Sequence, residues 1–284
     1  MSIGGIITAM VTPFDGDGRV DEDATARLIG HLLEHGSDGV VMASTTGESS
    51  TLDDEEKLRL FRIAAEEAGD AIVVANTGSN DTRHSVELTE KATEIQGVDA
   101  ILAVTPYYNK PNRRGIVAHF HAIAEATDLP VIVYNIPSRC VVDIPNDLLK
   151  ELAQIDNIAG VKQARAERLA PIDGMDLLAG NDDMLADVLD IGGTGGILVA
   201  SQIVGEEMRR MIDEPGERRQ IDEGLQDLYS ALAVTVNPIP VKTAMNMLGH
   251  DVGGFRLPLV EASDDEAEEI RVVLDRHGLT SSAV

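Results

Sequence analysis

Short runs of consecutive apolar residues alternate along this chain with longer stretches in which apolar positions recur at helical spacing. The runs are Ile6–Val11, Gly39–Ala43, Ala71–Ala75, Ala100–Val104, Val131–Tyr134, Ile158–Lys162, Asp176–Ala179 and Gly196–Val199. They are too short for helices and apolar throughout, the mark of strands covered on both faces. Between them, Asp54–Glu67 sets Leu58, Leu60, Phe61 and Ala64 at helical spacing, and Asp53 with Glu56 forms a capping box at its start. Eight such alternations imply a parallel sheet under helices, and eight is the number that closes a (β/α)8 TIM barrel. From Glu206 onward the pattern is helical, over Arg218–Leu232, Pro240–Leu248 and Asp264–His277. A doubly wound open sheet is the competing α/β architecture, but it offers no place for this tail. The expectation is a single domain over 1–284: a barrel over about 1–213 and a C-terminal helical appendix over about 214–284.

Composition narrows the classes of function. With 43% hydrophobic residues the chain can bury a full core, and its net charge of −26 repels nucleic acid and anionic membranes. The acid is spread along the chain, as in Asp53-Asp54-Glu55-Glu56 and Asp264-Asp265-Glu266, and reads as a solvated coat. No stretch approaches the ~18–20 apolar residues of a membrane span. The stretch Met1-Ser2-Ile3-Gly4-Gly5 lacks the basic region of a signal peptide. The single cysteine, Cys140, reads as a small buried residue and leaves no internal disulfide. A cytoplasmic protein is expected, without a metal or cofactor. His119 and His121, two apart on a helix, do not share a face as a metal pair would. Gly192-Gly193-Thr194-Gly195-Gly196 precedes a strand, whereas a phosphate cradle would join strand to helix.

The candidate chemistry sits at strand ends, where barrels of this kind keep it. Lys162 closes the run Ile158-Ala159-Gly160-Val161, and among six lysines it alone ends an apolar strand. A lysine can snorkel from such a position. Burial, however, favours the neutral amine, which is a nucleophile toward carbonyls. Other strand ends supply Ser44-Thr45-Thr46-Gly47-Glu48-Ser49, Thr105-Pro106-Tyr107-Tyr108-Asn109 and Tyr134-Asn135-Ile136-Pro137-Ser138-Arg139. Three of the four tyrosines lie at two of these ends. An amine, phenols, small hydroxyls and an arginine together suit carbonyl chemistry.

These segments, together with Gly160-Val161-Lys162 and Asn237-Pro238-Ile239-Pro240-Val241-Lys242, occur in an order that closely resembles the dihydrodipicolinate synthase family of pyruvate-dependent class I aldolases. The resemblance runs from Gly5 to about Pro258. It implies an imine between Lys162 and pyruvate, condensation with L-aspartate 4-semialdehyde, and a role in lysine and diaminopimelate biosynthesis. Thr46 would hold the pyruvate carboxylate, and Arg139 the carboxylate of the aldehyde. Tyr134, Thr45 and Tyr108 would relay protons, with Tyr108 reaching in from a neighbouring subunit of a homo-oligomer. Ile197 would line the pyruvate pocket.

Several positions depart from the family pattern. Cys140-Val141 stands where Thr-Gly is common, Gln163 replaces an acidic residue, and Arg165-Ala166 follows. Gly180 lies only 18 positions after Lys162, so the helix after the sixth strand must shrink to a turn or two. In the family that helix helps join tight dimers into a tetramer. The family's allosteric lysine site also looks altered: its two histidine positions hold Asp54 and Lys57 and its glutamate position holds His84, while Asn80 and Tyr107 remain. The alternatives are an aldolase cleaving 2-keto-3-deoxygluconate or N-acetylneuraminate, and a non-catalytic pyruvate-binding protein. Arg139 and the Thr45-Thr46 pair favour the synthase.

Overall fold

The computed structural model describes residues 3–280. Met1, Ser2 and residues 281–284, which belong to the leader and single-domain expectations, lie outside them. Each apolar run forms a strand. The order is β1 (Gly5–Ala9), α1 (Glu22–Glu34), β2 (Gly39–Met42), α2 (Asp54–Glu67), β3 (Ile72–Asn76), α3 (Thr82–Thr93), β4 (Ala100–Val104) and α4 (Arg113–Glu125). Then come β5 (Val131–Asn135), the short helices α5 (Pro137–Cys140) and α6 (Asn146–Leu152), β6 (Ile158–Gln163), β7 (Asp176–Ala179), α7 (Leu185–Asp190), β8 (Gly195–Leu198) and α8 (Ser201–Asp213). The strands pair in parallel in sequence order, and β8 returns to β1 to close a TIM barrel. After it follow α9 (Arg218–Ala231), α10 (Ile239–Met247) and α11 (Asp264–Arg276). Helix α9 packs on α8, and α11 on α9 and α10. Among the described residues no helix is long and apolar enough to cross a membrane.

Strand alternation sorts the core into two layers. Ile7, Val41, Val74, Leu102, Ile132, Leu178 and Ile197 fill the barrel interior. Ile6, Val40, Val73, Ile101, Val133 and Val161 face the surrounding helices. In the register of β5 with β6, Ile132 stands beside Gly160 and Tyr134 beside Lys162. The apolar runs predict these strands because both sides of each are buried. The expected capping box at α2 is present, with Asp53 accepting from the Glu56 N–H and Glu56 from the Asp53 N–H. The glycine run near β8 serves packing: a Cβ on Gly195 would lie 2.1 Å from the Gly5 carbonyl oxygen.

The strand ends shift where side chains capture the backbone. β1 stops before Val11, whose N–H donates to Gln202 Oε1 at 3.2 Å. β2 stops before Ala43, which turns into the left-handed region at φ 52°. β8 stops before Val199, whose N–H donates to Asp182. The expected shortening after β6 is present: the link to β7 holds only a 3-10 turn, Ala166–Arg168. Arg165 and Arg168 donate to Asp143 Oδ2 at 2.8 and 3.0 Å, fixing this turn against the β5 end.

Candidate active site

The C-terminal strand ends open into a cavity of about 460 Å³ lined by Thr45, Thr46, Tyr134, Arg139, Lys162 and Asp182, among others. An adjoining cavity of about 620 Å³ shares Thr45, Tyr134, Arg139 and Asn237 and extends past Asp54, Lys57 and His84. Lys162 is 4% exposed, with Nζ 4.2 Å from the centroid of the Tyr134 ring. Burial pushes its pKa down to about 7, with the Asp182 carboxylate opposing and the Arg139 guanidinium reinforcing the shift. Near neutral pH a substantial fraction of this amine carries a free lone pair. Tyr134 is 5% exposed, and burial raises its pKa despite nearby Arg139 and a hydrogen bond with the Thr45 side chain. It is therefore a neutral phenol, able to donate and accept protons at the amine.

Thr46 is buried and receives a hydrogen bond from Asn237 Nδ2 at 3.1 Å. Arg139 is exposed on α5, and its Nη2 donates to the Asn237 carbonyl oxygen at 3.1 Å. Lys162, Tyr134, Thr45, Thr46 and Arg139 thus converge as the sequence suggests. Two expected residues stand elsewhere. Ile197 is fully buried in the interior layer with Tyr134 and Leu178, beneath the cavity; Val199 is the residue of that segment on its wall. Tyr108 projects into solvent, 88% exposed, on a loop where both it and Lys110 have positive φ.

Other polar groups of the site were not singled out from sequence. Asp182 accepts from the Val199 and Ala200 N–H groups at 2.8 and 3.0 Å. Burial pushes its pKa up to about 6, against those N–H groups and Lys162. Tyr229 reaches the cavity from α9, so the appendix forms part of the wall. Glu48, in the left-handed region at φ 56°, sends its carboxylate to Lys242 Nζ at 2.9 Å and to the Arg256 N–H at 3.1 Å. The Thr45-Thr46-Gly47-Glu48 loop is thereby pinned to α10. A threonine-rich loop followed by an acid, and a lysine within an apolar helix run, were the available signals, but neither names its partner.

The departures from the family pattern have local accommodations. Cys140 is buried, and burial raises its pKa to about 11, so the thiol stays protonated. Val141 adopts φ 66° while 65% exposed. Gln163 is buried and accepts from Asn135 Nδ2 at 3.1 Å. On α4, His119 is buried beside Thr82, whereas His121 is exposed beside Glu125.

Similarity to known proteins extends over nearly the whole chain. The profile of the Dihydrodipicolinate synthetase family matches residues 2–277. A 4-hydroxy-tetrahydrodipicolinate synthase of Heliobacterium modesticaldum is 44% identical, covering 99% of this chain and 98% of its own. A dihydrodipicolinate synthase of Cyanidioschyzon merolae, solved with lysine bound, superposes with a TM-score of 0.92 at 39% identity, covering 97% of this chain and 98% of that one. A monomeric dihydrodipicolinate synthase variant superposes at 0.93 with 33% identity, covering 98% and 97% respectively. The chain belongs to the dihydrodipicolinate synthetase family.

Proposed function

We propose that this lyase condenses pyruvate with L-aspartate 4-semialdehyde to 4-hydroxy-tetrahydrodipicolinate, through an imine on Lys162. The observation that carries this reading is the desolvated Lys162 amine against the Tyr134 ring, in one cavity with Thr45, Thr46 and Arg139. The Lys162 lone pair attacks C2 of pyruvate, and loss of the carbonyl oxygen as water leaves the imine. Loss of a C3 proton gives an enamine, whose carbon attacks the aldehyde carbon and forms the new C–C bond, the aldehyde oxygen becoming a hydroxyl. The amino group of the adduct then attacks C2 and displaces Lys162, closing the ring.

Tyr134, bonded to Thr45, supplies and recovers protons at the amine and the carbonyl oxygen. Thr46 faces the pyruvate carboxylate. Arg139 offers a planar fork for the carboxylate of the aldehyde. Tyr108 acts in the site of a second copy of the chain, which gives its solvent-facing ring a role and makes a tight dimer the smallest complete unit. Pairing of such dimers into a tetramer would have to form without a full helix after β6.

Borohydride reduction in the presence of pyruvate tests the core of this reading. A 1-carboxyethyl adduct on Lys162, the reduced pyruvate imine, located by peptide mass spectrometry and absent from Lys162→Arg, is expected. An adduct on Lys242, or none, refutes it. The second substrate is tested separately with Arg139→Ala, expected to raise KM for the aldehyde by an amount worth roughly 1.5–3 kcal/mol while KM for pyruvate moves little. An equal rise in both would remove Arg139 from aldehyde recognition.

A further inference from the structure

We infer that Asn237 is a positioning residue that sets the direction of the Thr46 hydroxyl, so that the C-terminal appendix tunes recognition of the keto acid. Asn237 stands between two groups of the site, donating through Nδ2 to Thr46 Oγ1 at 3.1 Å and accepting through its carbonyl oxygen from Arg139 Nη2 at 3.1 Å. It lies 191 residues from Thr46 in the chain, in the segment that leads into α10. The inference rests on the proposed role of Thr46 in holding the pyruvate carboxylate.

The chemistry turns on one hydroxyl. A threonine oxygen has one proton and two lone pairs, and its rotor follows its neighbours. With an amide N–H already donating to Oγ1, the Thr46 proton must point away from Asn237. Among the described residues no other hydrogen bond reaches Thr46 Oγ1, so that proton has no protein acceptor. Thr46 is 2% exposed and lines the cavity that holds Lys162, so a substrate carboxylate there would meet a donor already aimed. The Asn237 Oδ1 atom, by contrast, is buried without a partner.

The amide is itself held from behind. Four residues beyond Pro238, Lys242 is fully buried against Glu48, and Glu48 ends the loop that carries Thr46. One ion pair therefore ties together the two segments whose side chains meet at the Asn237–Thr46 hydrogen bond.

Substitution by aspartate separates orientation from packing, because the shape is kept and the donor becomes an anionic acceptor. Asn237→Asp would draw the Thr46 proton toward itself and place a negative charge beside the incoming carboxylate. The test measures half-saturation of borohydride trapping by pyruvate without the aldehyde, alongside steady-state KM and kcat, for Asn237→Ala, Asn237→Asp, Thr46→Val and the Thr46→Val/Asn237→Ala double variant. Asn237→Ala is expected to raise both pyruvate constants about tenfold, with kcat nearly unchanged. Asn237→Asp is expected to raise them about a hundredfold.

In the Thr46→Val background the alanine substitution should add nothing, since the oxygen it orients is gone. Thermal melts confirm that each variant is folded; the near-isosteric aspartate carries the test if alanine does not fold. Two results overturn the inference while leaving the keto-acid reading of Thr46 intact: Thr46→Val raises the pyruvate constants but neither Asn237 variant does, or the double variant loses the product of the two single effects. A Thr46→Val variant with unchanged pyruvate constants would instead remove that reading, and this inference with it.

Discussion

Two of the three buried lysines among the described residues, Lys162 and Lys242, differ sharply in their surroundings. Lys242, at 0% exposure, has Glu48 at 2.9 Å and sits 4.2 Å above the Phe14 ring. Lys162, at 4% exposure, has the Tyr134 ring at the same distance but, among the described residues, no carboxylate oxygen within 4.0 Å. Burial lowers both pKa values, Lys242 to about 8 and Lys162 to about 7. The Glu48 carboxylate keeps Lys242 charged at neutral pH and fixed as a tie between α10 and the Thr45–Glu48 loop. The more distant Asp182 leaves Lys162 near the point where its proton is easily lost. Desolvation is common to the two; a partner in contact separates the Lys242 strut from the proposed nucleophile Lys162.

Stability measurements should break this comparison most visibly. Lys242→Met strands Glu48 as an unpaired buried charge and is expected to destabilise the fold by about 3–5 kcal/mol, partly recovered when Glu48→Gln is added. Lys162→Met exchanges a desolvated amine for an apolar side chain of similar length. It should stabilise the fold by on the order of 3 kcal/mol at neutral pH, with activity lost. The sign follows from the depressed pKa: the unfolded chain binds the Lys162 proton more tightly than the folded one. The cost of burying Lys162 is therefore full below about pH 7 and fades as pH rises toward its unfolded value, ~10.4. The gain from Lys162→Met should shrink over that range. Denaturant melts at pH 7 and pH 10 would show it; a destabilised Lys162→Met at pH 7 would mean that the amine is paired after all.

A smaller effect concerns rate. On the proposed attack of the neutral amine on pyruvate, trapping by borohydride should accelerate about tenfold per pH unit below about 7 and level off above it. A profile still rising steeply at pH 9 would place Lys162 with ordinary solvated lysines.

How much of this was legible in the sequence depended on distance along the chain. The strands could be read because burial on both faces leaves an unbroken apolar run, and α2 because Asp53 and Glu56 are three residues apart. Lys162 was legible for the same local reason, a cation closing an apolar strand. Lys242 was not, since its partner is 194 residues away and nothing near it in sequence is acidic. Asn237 and Asp182 escaped likewise: one acts on Thr46 across the barrel mouth, and the other on backbone N–H groups after β8. Tyr108 was readable only through the family resemblance, for in a single chain its ring meets solvent.

The smallest expected effect is the response to L-lysine, and it extends the comparison to a third lysine. Lys57 is buried beside Asp54, with Nζ 3.9 Å from its carboxylate, in the cavity adjoining Tyr134. His84 Nε2 also contacts both oxygens of Asp54, at 2.9 and 3.0 Å. An effector carrying two amino groups needs anions, and those lining this cavity are already engaged. Asp54 is held by His84 and Lys57, Glu48 by Lys242, and Asp81 by the Arg83 N–H. Burial lowers the pKa of Lys57, with Asp54 and Asp53 opposing the shift, and its amine lines the cavity that an incoming ammonium would enter. The Cyanidioschyzon merolae relative was solved with lysine bound. In this chain the carboxylates lining the cavity already have partners. A ligand that gains no differential contact cannot shift the activity. Initial rates should therefore remain within about twofold in millimolar L-lysine, a concentration that would saturate a site of ~0.1 mM affinity. A saturable fall toward zero would show that Asp54 exchanges His84 and Lys57 for the ligand, making Lys57 a displaceable partner where Lys242 is a fixed one.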